Sequence, residues 1–423
     1  MRTAMARGVL CALLAVGSVV SAHAGDDNVL YANLHFNLSN PGARSLALGG
    51  AFTGLADDAT AAYANPAGLT QIFKPQFSLE IRHASIDTQY TSAGTYLSPP
   101  NAPPFDNPFN GITKGTQTDS GTRPSFVSLM LPHGRWAVGI YRHELANTVF
   151  HASTGTVQLS NGLTIPPLAE SLTLRIVDWG AAGAFNFTDN VTLGASVSYF
   201  QNSLASTTAR SEGVPFVASD SGHESSVAGN VGLLVKSGKA SFGAVYHRSP
   251  AFRFNSALSI GAANINVPVD FKAPDAYGVG MVYRFSDTLY TSTDIQNVLY
   301  SQQTDPSRYT SVNGAFGDPA SAYHANDATE FRIGVEKAFI RATNPTVFAV
   351  RFGGWYDPAH SIRYSGLTPS RAAVYLPSRA LTHVTGGLGF VFGEYQADVG
   401  ADVSTRSKAV SLSFVKSFKP FSR

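Results

Sequence analysis

Cysteine is almost missing from this 423-residue chain: Cys11 is the single one. Disulfides, cysteine-ligated metals and thiol nucleophiles are thereby excluded beyond position 11. Charge is scarce as well, with 14% Asp, Glu, Lys and Arg against roughly 25% in ordinary soluble domains. The net charge of +2 is close to balance, so no basic footprint for a nucleic-acid partner is present. Long apolar runs are also lacking. No segment beyond the first two dozen residues approaches the about 18 consecutive apolar positions that a spanning helix needs. A chain poor in charge and without helical spans leaves two classes open, a transmembrane β-barrel and a secreted soluble β-protein.

The N-terminus reads as an address. Arg2 and Arg7 form a basic start, Val9 to Val20 is mostly apolar, and Ala22-His23-Ala24 offers a small-residue cleavage site. Leu10 stands where a lipidation motif needs a small residue before cysteine, so residues 1–24 are expected to be a simple signal peptide. The mature chain then begins at Gly25.

Period-2 alternation starts near Gln76 and recurs to the C-terminus. Phe77, Leu79 and Ile81 alternate with Ser78, Glu80 and Arg82, and Ala397, Val399, Ala401 and Val403 with Asp398, Gly400, Asp402 and Ser404. One face is apolar and the other polar, as lipid outside and a wet interior require. Counting such segments gives about 14 strands, an even number, over residues 76–423. Short turns, such as Lys236-Ser237-Gly238-Lys239 and Gly393-Glu394, alternate with long loops at 91–122, 151–171, 206–224, 301–329 and 357–380. A barrel with one rim toward the periplasm and one toward the exterior sorts its loops this way; a sandwich has no reason to. The expected fold is therefore an all-β transmembrane antiparallel barrel. Aromatics beside the short turns (Trp136, Phe187, Phe285, Phe392, Tyr395) and the long loops (Tyr90, Phe150, Tyr300, Trp355, Tyr356) are expected to form two interfacial girdles.

Residues 25–75 carry no strand period. A barrel of this size cannot fill its interior with its own side chains, and this segment has the features of a compact lumenal plug. Gly42, Gly49 and Gly50 permit tight backbone packing. Asp57 or Asp58 is placed to cap a short helical run, and Pro66 to push Asn65 out of helical geometry. A periplasmic arm is the plainer alternative.

The stretches Asn40–Phe52 and Ala56–Leu69, with Asn65-Pro66-Ala67, resemble the N-terminal hatch of the FadL/TodX family of outer-membrane transporters for hydrophobic compounds. Weaker similarity recurs at Pro274–Gly280, Thr293–Ile295, Glu330–Glu336 and Arg351–Pro358. The resemblance implies passive uptake of long-chain fatty acids or other hydrophobes across the outer membrane of a Gram-negative bacterium. It implies capture in an apolar groove of external loops, gating by the hatch and sideways release through a strand kink. The implied partners are apolar small molecules, outer-membrane lipid and lipopolysaccharide, and the barrel-assembly machinery; no cofactor, metal or nucleic acid is expected. Gly42, Gly49, Gly50, Asp57, Asp58, Asn65, Pro66 and Ala67 take hatch roles on this view.

For the groove, Val214, Phe216, Val217, Phe252, Phe254, Leu258 and Ile260 are the apolar candidates expected on loops, with local loop packing as the competing account. Arg142-His143-Glu144 puts charge on both faces of the third strand, which fits either a bulge beside a lateral opening or rim residues beyond the lipid band. A general porin or structural barrel is the alternative function. A hydrolase is the weaker one, since the histidines are scattered singly and no G-x-S-x-G motif is present.

Overall fold

The computed structural model describes residues 36, 38–97, 108–210, 212, 216–260, 263–305, 320–340, 346–366 and 368–419. Fourteen strands close into one antiparallel barrel. They are β1 (Gln76–Tyr96), β2 (Ile112–His133), β3 (Trp136–Ser153), β4 (Ala169–Asn186), β5 (Val191–Arg210) and β6 (Phe216–Ser237). A broken β7 (Ala240–His247 and Ala251–Ile260) and a broken β8 (Ala263–Lys272 and Ala276–Ser286) follow. The circuit is completed by β9 (Leu289–Val298), β10 (Ala328–Ile340), β11 (Thr346–Asp357), β12 (Leu381–Phe392), β13 (Tyr395–Val403) and β14 (Ser407–Ser417). Closure is made by β14 pairing with β1, from Gln76↔Ser417 to Ile86↔Ser407.

Alternation follows the pleat. Val279, Ile333, Leu388, Val410 and Leu412 point out and are exposed, whereas Asp294, Arg332, Arg351 and Asp398 are buried inside. The inward charges are paired: Arg351 bridges Glu336 at 2.5 Å and Asp398 at 2.7 Å. A carboxylate on each side of one guanidinium keeps the charge off the lipid face and satisfies it in the lumen.

The strands run farther than their apolar pattern. β1 continues to Tyr96, β2 starts at Ile112 and β6 starts at Phe216, in stretches expected to be loops. The reason is physical: beyond the lipid band both faces are wet, so alternation fades while the neighbouring strand still supplies the hydrogen-bond ladder. The girdle beside the short turns is present, with Trp136, Phe187, Phe285, Phe392 and Tyr395 all exposed. Its expected counterpart forms only in part: Tyr356 is exposed, whereas Phe150 and Tyr300 are buried in the apolar cluster of the lumen.

β7 and β8 break together, at Arg248–Pro250 and Ala273–Asp275, where Pro250 and Pro274 cannot donate to a ladder. Asp275 ties the joint by accepting from Ser249 N at 2.7 Å, Lys272 Nζ at 2.5 Å and Tyr246 Oη at 2.9 Å. After β3 the chain crosses the mouth and lays Val157–Leu159 parallel on the Gly94–Tyr96 end of β1. A short helix α3 (the third, after two in the N-terminal segment; Pro369–Val374) packs there as well, with Ala373 in an apolar cluster of Tyr96, Val157 and Ile165.

The outward apolar band predicts that Ile333→Arg, a cation placed against hydrocarbon, destabilises the barrel by about 2–4 kcal/mol if it sits near the bilayer midplane. Urea unfolding in lipid vesicles reads this as a lowered midpoint.

Candidate transport site

The N-terminal segment folds inside the barrel. Gly42, Gly49 and Gly50 adopt φ of 99°, 67° and 76° and turn the chain around helix α1 (Ala43–Ala47). A second helix, α2 (Ala61–Ala64), precedes a 3-10 turn over Pro66–Gln71. Asn65 between them is extended, at φ −157° and ψ 101°. Its buried carboxamide is used at both ends: Nδ2 donates to Thr53 O at 2.9 Å and to Leu233 O of β6 at 3.1 Å, and Oδ1 accepts from Ala67 N at 3.2 Å. One side chain thus joins two parts of the segment to the wall.

Other wall contacts repeat this pattern of strand side chains satisfying segment backbone. Asp294 Oδ2 accepts from Phe52 N and Thr53 N, both at 2.8 Å. Ser241 donates to Gly54 O and Ser292 to Ala51 O, each at 2.7 Å. Close approach also requires glycine on the wall. A Cβ added at Gly353 would come 2.6 Å from the Leu48 carbonyl carbon, and one at Gly334 2.7 Å from Leu48 Cα.

Neither Asp57 nor Asp58 makes the helix cap expected from the sequence, because the helix begins after Thr60 and its N-cap side chain makes no capping bond. Asp57 instead pairs with Arg44 at 2.7 Å, and Arg44 reaches Glu336 of β10 at 3.0 Å. Asp58 accepts from Thr60 N at 2.9 Å. Burial raises the Asp58 carboxyl above the ordinary Asp range, against the pull of Arg44.

Above this floor lies a cavity of about 290 Å³. Leu38 and Leu46 of the N-terminal segment, Ile86, Trp355 and Leu381 supply apolar lining, and Arg123, Arg332 and His383 polar lining. Trp355 stacks on His383 at 3.9 Å and donates to Asp402 at 2.9 Å. At the mouth, Tyr300 stacks on His360 at 4.0 Å. Burial opposes the charge on His360, but the Asp357 carboxylate and Pro358 O outweigh it and raise the imidazole pKa.

One side of the cavity is a discontinuity in the wall. β2 and β3 pair only from His133↔Trp136 to Phe126↔His143. Past that point β2 remains paired with β1 and β3 with β4, while no ladder joins β2 to β3. Both strands shift register there. Leu145 is skipped between Glu144 and Ala146 on β3, and Ser125 between Phe126 and Pro124 on β2. Two facing bulges bend the strands apart, and Gly121, Arg123, Ser125, Glu144, Ala146 and Thr148 beside them line the cavity.

Arg142, His143 and Glu144 therefore stand at the foot of the seam. Arg142 donates to Pro124 O across it and lies 3.3 Å from Glu144. His143 is buried below, its ring 4.1 Å from that of Tyr63 in α2 and its Nδ1 3.6 Å from Asp178.

The expected loop groove is corrected by the strand lengths. Phe216 and Val217 begin β6, and Phe252, Phe254, Leu258 and Ile260 lie on β7; Val214 falls outside the described residues. Phe252 and Phe254 are buried in the lumenal cluster, while Val217 is exposed. The loop residues that do join this cluster are Tyr300, Tyr323, Ile362 and Tyr375. The seam had a signal in the sequence: Pro124 interrupts a strand where only an edge or a bulge tolerates it.

Asn65→Ala should leave Thr53 O, Leu233 O and Ala67 N short of a partner and loosen the segment by about 1–3 kcal/mol. Hydrogen exchange over residues 42–71 would read it as lost protection, with strand protection retained.

By sequence, no protein-family model and no curated protein matches the chain. Solved structures do. A Pseudomonas aeruginosa FadL homologue superposes with TM-score 0.64 at 14% identity, covering 90% of this chain and 99% of that one. The Ralstonia pickettii toluene transporter TbuX gives 0.60 at 19% identity, with the same 90% and 99% coverage. The Pseudomonas putida toluene transporter TodX gives 0.60 at 16% identity, again over 90% and 99%. At these identities what is shared is the fold, and the chain has the fourteen-stranded barrel fold of the FadL and TodX structures.

Proposed function

We propose that this protein is an outer-membrane channel through which hydrophobic compounds, long-chain fatty acids or hydrocarbons, cross passively. The N-terminal segment acts as the gate and the β2–β3 seam as the lateral way out. The observation that carries this reading is the contact between the cavity and the seam. A compound held above Leu38 and Leu46 adjoins the one stretch of wall, among the described residues beside the cavity, where the backbone ladder is missing.

The physical logic is that of solvent. An apolar molecule that continued down the lumen would enter water, whereas one that leaves sideways passes from an apolar cavity into acyl chains and keeps its transfer free energy. A closed wall would forbid this, since parting a paired strand in hydrocarbon leaves several backbone groups unsatisfied. Buried contacts between the N-terminal segment and β6–β12 also argue against a general porin, whose lumen must stay open to water. The toluene transporters among the structural neighbours accord with an apolar cargo.

The test is uptake of labelled long-chain fatty acid and of toluene by a Gram-negative host that lacks its own hydrophobe channel. Wild type is compared at matched surface level with a variant lacking residues 40–69 and with Gly353→Val, which displaces Leu48 while sparing the chain length. Wild type should restore uptake and both variants should change its rate, with raised ion conductance in planar bilayers. Uptake of neither compound by an inserted wild-type barrel would overturn the reading.

A further inference from the structure

The seam is not simply open. Two side chains of β2 reach across it and bond to the backbone of β3: Asp119 Oδ2 accepts from Val149 N at 2.8 Å, and Arg123 Nη1 donates to Asn147 O at 3.2 Å. These are the kinds of group that a strand ladder would have served, one amide hydrogen and one carbonyl oxygen, two residues apart on the same strand. A carboxylate takes the place of a strand carbonyl, and a guanidinium that of a strand amide. Arg142 adds a third bond at the foot of the gap, to Pro124 O.

The geometry of β2 explains why these residues can do it. Below the bulge, Phe126, Ser128 and Met130 face inward; above it the inward set becomes Arg123, Gly121 and Asp119, which are half-buried while Thr122 and Ser120 are exposed. The skipped Ser125 thus turns two charged side chains toward the gap. Without the bulge they would point to the outside.

We infer that Asp119 and Arg123 are the closure of the lateral opening: two side-chain staples that hold β2 and β3 together at rest and release one another's strand when an apolar molecule passes. The inference rests on the lateral route proposed above and deepens it by naming what opens. Breaking a staple costs one charge-assisted hydrogen bond, and the freed side chain can turn back into the wet lumen. Breaking a ladder would part a whole row of paired amides and carbonyls at once. A stapled seam can therefore open and reseal repeatedly where a laddered one cannot. Asp119 and Arg123 are positioning residues here; they set the width of the gap and need not touch the cargo throughout.

The experiment exploits the absence of cysteine after Cys11. Spin labels on Ser120→Cys of β2 and His151→Cys of β3, both exposed beside the seam, report its width by pulsed dipolar spectroscopy in lipid nanodiscs. The pair is read in otherwise wild-type protein and with Asp119→Ala, Asp119→Asn, Arg123→Ala or both alanines. Hydrogen exchange at Val149 and initial uptake rates accompany it. The expected result is a longer, broader distance distribution in the alanine variants without ligand, matching what oleate induces in wild type. Val149 should exchange faster in Asp119→Ala with Phe126 and His143 unchanged, and Asp119→Asn, which keeps an acceptor oxygen, should restore much of the protection. Uptake should rise about 10- to 100-fold, the span expected for losing one charge-assisted bond.

Unchanged distances in the double variant would overturn the inference, and so would slower uptake at matched surface level, which would make the pair part of the path and not its closure. Heat-modifiable migration of each variant on gels separates these results from misfolding, and Asp119→Asn serves if an alanine variant fails that check. Should wild type carry no apolar compound at all, the transport reading fails by itself; the distances and Val149 exchange still decide whether the staples hold the seam.

Discussion

Backbone hydrogen bonding in hydrocarbon governs this molecule. A strand edge facing lipid cannot be hydrated, so the sheet must meet itself, and the Gln76–Ile86 edge of β1 meets Ser407–Ser417 of β14 to do so. Fourteen strands enclose more space than their inward side chains can occupy. That surplus is filled by the chain's own N-terminal segment. Its backbone polar groups are far from water, and Asp294, Ser241, Ser292 and Asn65 meet them one by one. The same requirement that closes the wall thus also fixes the plug to it.

Tight packing of the plug puts a second demand on the strands. Where α1 and the turn after it lie against β10 and β11, the wall has room for hydrogen and not for a methyl group, at Gly334 and Gly353. Arg44 then locks the plug electrostatically, sharing its guanidinium between Asp57 of its own segment and Glu336 of β10.

The barrel was legible in the sequence because period-2 alternation and the sorting of short and long connections are both imposed by the bilayer. Legibility ended where the bilayer did. The polar strand from Thr113 to Thr122 looks like a loop in the sequence, since nothing apolar marks a strand that has left the lipid. The expected cap by Asp57 does not form because Arg44 takes its carboxylate, and Asp58 spends its own on the Thr60 amide and hydroxyl just before α2. The charged break at Arg142-His143-Glu144 is visible in the sequence, whereas its partner bulge at Pro124-Ser125 is signalled by the proline alone. The staples were out of reach altogether: which face Asp119 and Arg123 occupy depends on the skipped Ser125, and one residue of register reverses every side chain above it.

The crossing of Val157–Leu159 onto the end of β1 bears on the shape of any aperture. β3 is laced to β2 below His143, and just past its upper end the chain is moored to the far side of β2. The gap between is consequently a buttonhole and not a flap. Its length is set at about 30 Å by the ten residues from Glu144 to Ser153, and only its width can change. On the lateral route proposed above, such a buttonhole would discriminate by girth: a slender chain would fit along its whole length, whereas a rigid bulky body would meet two bound ends that do not give way.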